Sequence, residues 1–314
     1  MGRRKKGRRI SGVLLLDKPT GITSNKALTK VRWLFDANKV GHTGSLDPLA
    51  TGVLPLCFGE STKFSRYLLE ADKAYRTTAK LGVITDSGDS DGEVLETRAV
   101  DDFSREQLLA LINKFTGTVE QVPPMYSALK HKGKPLYEYA RAGIEIERKK
   151  REITIFSIEL LDIRDGEFDL EVFCSKGTYI RTLVEDIGEA LGCGAHVSML
   201  RRIEAGPFSL PQTVTIEQLE TLKELEDVSS LDQFLLPTDI MLDGFQQICV
   251  NNELSGSIFN GQAVRIPHSL EPGLVRLYLE GNSESADKLF IGMAEVMDDG
   301  EIAPRRLVNF DSTD

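Results

Sequence analysis

The chain has 314 residues, 41% hydrophobic and 27% charged, with a formal net charge of −10, a globular composition long enough for one large core plus a smaller appended module. No run of eighteen apolar residues occurs, which excludes a simple membrane-spanning helix. Four scattered cysteines (Cys57, Cys174, Cys193, Cys249) with no Cys-x-x-Cys pair, and no N-terminal apolar stretch, predict a reduced, cytoplasmic protein.

Taken in chain order, the first nine residues hold six Arg or Lys and no acid, and are expected to form a basic flexible tail. Gly12 to Asp17 reads as a short apolar strand. Ser24 is placed to cap a helix whose inward face is Ala27, Leu28, Val31, Leu34 and Phe35, at helical spacing. Val53 to Phe58 predicts a buried strand, and Ala74 to Leu81 a half-buried one. Asp86 to Gly92 reads as a loop, and Ser104 with Gln107 as a capping box opening a helix with Leu108, Leu111, Ile112 and Phe115 inward.

The regular pattern then stops. Val122 to Glu152 carries two consecutive prolines, three further Gly or Pro breaks, and Tyr126, Tyr137 and Tyr139 among basic residues. An insertion of this length inside a domain is usually functional or disordered, and Tyr interleaved with Lys and Arg suits stacking on bases and gripping phosphate. Strands are expected at Ile153 to Ile163 and Phe168 to Cys174, then a helix burying Ile180, Leu183, Val184, Ile187 and Leu191, then a strand near Val197 to Ile203. A helical stretch follows near Thr215 to Leu225. From about Phe245, short β-like runs at Ala263 to Ile266, Leu274 to Leu279 and Leu289 to Val296 predict a small β module at 245–314.

The acidic net charge argues at first against a nucleic-acid partner, because Lys and Arg supply most of such binding. The charges are segregated, however. Eight Lys or Arg stand against three Glu between Lys130 and Arg151, while Asp86 to Asp102 holds seven acids and one Arg. Basic arms with acidic surface elsewhere fit a gripped polyanion; a solubilising tail and a solvated helix face are the plain alternatives.

Gly41 to Pro55 (GHTGSLDPLATGVLP) is a glycine-punctuated loop holding one acid, Asp47, and leading into an apolar run. A carboxylate on a loop that feeds a buried strand is rigidly presented yet reachable, as a nucleophile must be. Asp-Pro alone would read as a turn. The whole string closely resembles the catalytic motif of the pseudouridine synthases, in particular the tRNA pseudouridine-55 synthase (TruB-type) family. Similar blocks stand at Gly12–Gly21 (GVLLLDKPTG), Gly59–Arg76, Met125–Lys130 (MYSALK), Leu136–Gly143 (LYEYARAG), Cys174–Thr182 (CSKGTYIRT) and Leu191–Arg202 (LGCGAHVSMLRR).

That resemblance implies an α+β fold: a central mixed, mainly antiparallel sheet flanked by helices, spanning 10–244, with a thumb-like insertion at about 123–152 that closes on RNA, and a PUA-like module at 245–314. It implies isomerisation of uridine at position 55 of the tRNA T-loop, with Asp47 as the reacting carboxylate and Arg181 as its guanidinium partner. Asp47 could attack C1′ or C6, or remove a ribose proton. As a surface residue, Arg181 at a helix start would sit at the electrostatically wrong end. The target base must be extruded from the RNA. Tyr75 is implied as its platform and as a group for proton transfer, Tyr179 and Leu200 as further walls, His42 as the wedge that replaces the base, and Lys18 as support for the catalytic loop. No cofactor or metal is implied: there is no phosphate-binding glycine loop and no clustered His/Cys/Asp set. The competing readings are the same isomerisation on another RNA, a tRNA-binding folding factor, and a carboxylate glycosidase, the last disfavoured because no second acid sits in a matching motif.

Overall fold

Residues 7–266, 271–281 and 288–310 are described by the structure, a computed structural model of the chain. The first half contains β1 (Gly12–Lys18), α1 (Ser24–Leu34), β2 (Val40–His42), β3 (Thr51–Phe58), α2 (Ser65–Leu69), β4 (Lys73–Leu81), β5 (Val83–Thr85), β6 (Val94–Thr97), α3 (Arg105–Ile112) and β7 (Gly117–Gln121). After β8 (Lys130–His131), β9 (Lys134–Pro135) and α4 (Leu136–Ala140) come β10 (Arg151–Arg164), β11 (Glu167–Cys174), α5 (Ile180–Leu191), β12 (Ala195–Ala205), β13 (Phe208–Ser209) and α6 (Ile216–Leu225).

Nine of these strands form one sheet in the order β1-β3-β12-β4-β11-β10-β7, with β2 added to β3 and β13 to β12. Only the β3–β12 contact is parallel. The unbroken apolar run of β1 follows from being covered on both faces. Leu14 and Leu16 enter a core with α1, α3, α5 and α6, whereas Val13 and Leu15 join a second cluster with Val53, Phe64, Phe208 and Met293 on the other face.

Several expectations are corrected. Thr23, not Ser24, caps α1, accepting from Lys26 N at 3.1 Å; Ser24 is the first helical residue. β4 does not alternate simply, because it lies between β12 and β11 with both faces largely covered. Leu28, Leu111, Phe115 and Leu191 pack at the core margin rather than inside it. Of the expected basic tail, residues 1–6 lie outside the described residues, but Arg8 is anchored, pairing with Asp232 at 2.5 Å. The long insertion is not patternless: β8 and β9 form a small hairpin that leads into α4.

The last part holds β14 (Gln246–Val250), α7 (Asn252–Phe259), β15 (Val264–Arg265), β16 (Gly273–Leu279), β17 (Leu289–Val296) and β18 (Glu301–Leu307). Its five-stranded sheet, ordered β14-β16-β17-β18-β15, has its own core around Ile248, Ile258, Leu277, Ile291 and Ile302. Expectation had only three strand runs and no helix here, because β14 and α7 are short. The module leans on the α2 segment through aromatic contacts, Phe64–Phe290 at 5.4 Å and Tyr67–Phe245 at 5.3 Å between ring centroids.

Candidate active site

The loop carrying Asp47 joins β2 to β3 and is tied to the turn between β1 and α1. Ser24 Oγ donates to Leu46 O (3.0 Å) and accepts from Leu46 N (2.7 Å). Gly21 N donates to Pro48 O at 2.8 Å, and Thr20 Oγ1 to Leu49 O at 3.0 Å. Lys18, with 0% of its surface exposed, donates from Nζ to Pro19 O (2.8 Å), Pro48 O (3.3 Å) and Ala50 O (2.7 Å). A buried ammonium satisfied by carbonyls pins the backbone that follows Asp47, and Ser24 holds Leu46 before it, so that the carboxylate is held by a rigid frame. Burial lowers the Lys18 pKa to about 8, against the pull of nearby Asp47.

Asp47 Oδ2 meets Arg181 Nε at 3.1 Å; the guanidinium side chain is 4% exposed and the carboxylate side chain 39%. The arginine is thus buried while the carboxylate it meets stays partly open to solvent. Crowding raises the Asp47 pKa by desolvation, and the Arg181 charge opposes that rise. Arg181, on the first turn of α5, is itself immobilised: Nη1 donates to Ser87 O (2.5 Å) and Nη2 to Tyr126 O (2.6 Å). Asp89, also buried, lies 3.5 Å from Nη1. The Asp86–Gly92 loop is therefore a wall of the site rather than a surface turn. Its buried Ser87 and Asp89 give no signal in a stretch that reads as ordinary Asp/Ser/Gly punctuation.

Tyr75, half-buried on β4, has its phenol pushed up by burial, with Arg202, Cys174 and Asp47 all close enough to influence it. Leu200 is buried on β12 opposite Thr77. Tyr179 is the residue before α5; its N–H donates to Gln121 Oε1 (2.8 Å) while Gln121 Nε2 donates to its carbonyl (3.1 Å). Buried Gln121, at the end of β7, was invisible in sequence because a glutamine closing a strand carries no pattern. His42 lies at the end of strand β2, paired with Leu56, rather than within the loop. It is half-buried, its Nδ1 makes no hydrogen bond, and burial followed by the Arg202 charge lowers its pKa, which favours a neutral ring. Thus Asp47, Arg181, Tyr75, Tyr179 and Lys18 share one electrostatic neighbourhood, with His42 and Arg202 beside it.

A sheet of this order is the fold of pseudouridine synthases. Two solved structures, a Cbf5-Nop10-Gar1 complex and an H/ACA RNP bound to a substrate RNA containing 2′-deoxyuridine, each match with a TM-score of 0.70. They are 22% and 20% identical, covering 94% and 99% of this chain and 84% and 92% of theirs. Residues 32–180 match the TruB family pseudouridylate synthase N-terminal domain, 181–243 the tRNA pseudouridylate synthase B C-terminal domain, and 247–308 the pseudouridine synthase II TruB C-terminal model. Two proteins named tRNA pseudouridine synthase B are close relatives. That of Pseudomonas putida is 54% identical over 96% of both chains, and that of Aliivibrio salmonicida 52% identical over 99% of this chain and 98% of its own. The chain belongs to the TruB family of pseudouridylate synthases.

Proposed function

We propose that this chain isomerises uridine to pseudouridine in tRNA, at position 55 of the T-loop, with Asp47 as the reacting carboxylate. The pair Asp47–Arg181, 3.1 Å apart with the guanidinium buried and the carboxylate partly exposed, is the observation that carries this reading. Isomerisation breaks N1–C1′, makes C5–C1′, removes the proton from C5 and returns one to N1. It is redox-neutral, and what it asks of the protein is a held nucleophile, a charge partner and a base-sized pocket. Arg181 keeps Asp47 oriented and ionised, while desolvation makes the carboxylate a stronger nucleophile than one in water. Tyr75 receives the flipped uracil and, once its phenol has given its proton to solvent, its oxygen takes the C5 proton; Tyr179 and Leu200 bound the pocket. His42, kept neutral, fills the stack that the base leaves.

The exposed basic residues between Lys130 and Arg151 fit the role of an RNA-gripping thumb at about 123–152 that closes on the tRNA elbow, and the second sheet that of a PUA-like module at 245–314. Asp47→Asn should abolish pseudouridine formation on a tRNA transcript while RNA affinity stays within about twofold, because a neutral amide retains the shape but not the nucleophile. Mass analysis of the T-loop fragment is the readout, and normal yield from this variant would refute the assignment.

A further inference from the structure

Tyr75 on β4 and Arg202 on β12 are cross-strand partners, and the same row runs on to Gly52 of β3 and Lys18 of β1. Partners in a row project to one face of a sheet, so Lys18, Arg202 and Tyr75 stand side by side beneath the Asp47 loop. Gly52 has no side chain and lets β3 and β12 close up. Arg202 is 1% exposed and among the largest fully buried side chains. Its Nε donates to Val53 O at 2.7 Å, but its Nη2 is buried and makes no hydrogen bond. Among the described residues no carboxylate lies within ion-pair distance of it. Instead its charge bears on two lysines, Lys18 and Lys73, and on His42.

A buried guanidinium with a free N–H and no counter-ion is costly, and natural cores tolerate one where an anion is generated or received. The acid that faces Arg202 directly is the phenol of Tyr75. The guanidinium is the largest influence favouring the ionised phenol, both through space and through a contact that falls short of hydrogen-bond geometry. The other groups around the phenol are Asp47 on the loop and Cys174 on β11. Asp47 and Cys174 disfavour its ionisation.

We propose that Arg202 is a positioning residue for the reaction, holding the Tyr75 oxygen against the uracil ring and stabilising the phenolate that takes the C5 proton. The phenol first gives its proton to solvent; the phenolate oxygen then takes the C5 proton, so that the O–H bond re-forms, the C5–H bond breaks, and its electron pair restores the C5–C6 double bond. The proton that N1 gains comes from solvent, so the exchange balances. The inference rests on the isomerase reading above and deepens it by assigning a charge to the proton-transfer step.

The test is a double-mutant cycle between Arg202→Met and Tyr75→Phe, with Arg202→Lys as the charge-keeping variant. Three quantities are measured on the full chain: single-turnover pseudouridine formation on a tRNA transcript, RNA affinity, and the titration of Tyr75 by NMR of ring-labelled tyrosine, its signal assigned by its loss in Tyr75→Phe. Arg202→Met is expected to slow the single turnover about a hundredfold, leave affinity unchanged, move the Tyr75 titration to higher pH, and have no added effect in Tyr75→Phe. Arg202→Lys is expected to recover most of the rate and keep the titration near that of the parent. Equal slowing in both backgrounds, or an unmoved Tyr75 titration, overturns the proposal. Should Arg202→Met fail to fold, Arg202→Lys against Arg202→Gln gives the same titration comparison. A parent protein that makes no pseudouridine would sink the isomerase reading, whereas the Tyr75 titration would still decide the role of Arg202.

Discussion

Gly52 and Gly44 flank the Asp47 loop, both in backbone conformations that favour glycine (φ +102 and +111), and the structure separates what each would lose on becoming alanine. At Gly44 an added Cβ meets nothing nearer than 3.9 Å, so Gly44→Ala pays only the conformational strain of about 1–3 kcal/mol. At Gly52 the Cβ would sit 2.1 Å from Arg202 O and 2.9 Å from Arg202 N, both backbone atoms that cannot rotate away. Restoring ordinary contact requires β3 and β12 to part by more than an ångström, in the middle of the sheet where packing is tight. The parallel pairing of Arg201–Arg202 with Thr51–Gly52 would break. Gly52→Ala should therefore destabilise by more than about 4 kcal/mol, a large share of a normal domain's margin. Urea unfolding followed by circular dichroism measures both variants. Midpoints for Gly52→Ala and Gly44→Ala that agree within error would refute the steric reasoning.

Lys18→Met should loosen the Asp47 loop, losing charge-assisted bonds to Pro48 O and Ala50 O worth about 1.5–3 kcal/mol each before the relief of desolvation; a fall in kcat larger than any rise in KM is the expected kinetic signature. Because burial sets the Lys18 pKa at about 8, below its ordinary value of 10.5, its contribution to stability is fully present above 10.5 and is lost as pH falls to about 8. Lys18→Met should remove that part of the slope in a pH series of unfolding midpoints. For His42, whose pKa is lowered from 6.5 by burial and the Arg202 charge, stability should decline as pH falls below 6.5. His42→Gln should flatten that decline, and an unchanged profile would contradict the neutral buried ring. Gln121→Ala breaks both bonds to the Tyr179 backbone and should cost about 1–3 kcal/mol, read as a lower thermal midpoint with a reduced single-turnover rate.

Much of the frame was legible in the residues. The capping box at Ser104 and Gln107 formed as its spacing dictates, and the apolar face of α5 buried Ile180, Leu183, Val184 and Ile187 as a 3.6-residue period requires. Asp47 could be picked out only through the motif around it, since Asp-Pro alone reads as a turn, whereas the arginine at a helix start stood out because it violates an ordinary local preference. Other features were legible only in part: Ser24 looked like a cap, yet its hydroxyl serves Leu46, twenty-two residues away, because Thr23 already satisfies the helix end.

Local periodicity and motif determined which segments become strands and helices and singled out Asp47 as the candidate acid, since those depend on neighbours a few residues apart. Only the tertiary structure decided that Asp89 and Gln121 line the site, that Lys18 is a buried clamp, and that Arg202 lies beside Tyr75 with no carboxylate in ion-pair reach among the described residues. Burial and register are set by which strands lie side by side, and β3, β4 and β12 are brought together from far apart in the chain. The charge on a buried side chain is governed by those distant neighbours rather than by its own place in the sequence.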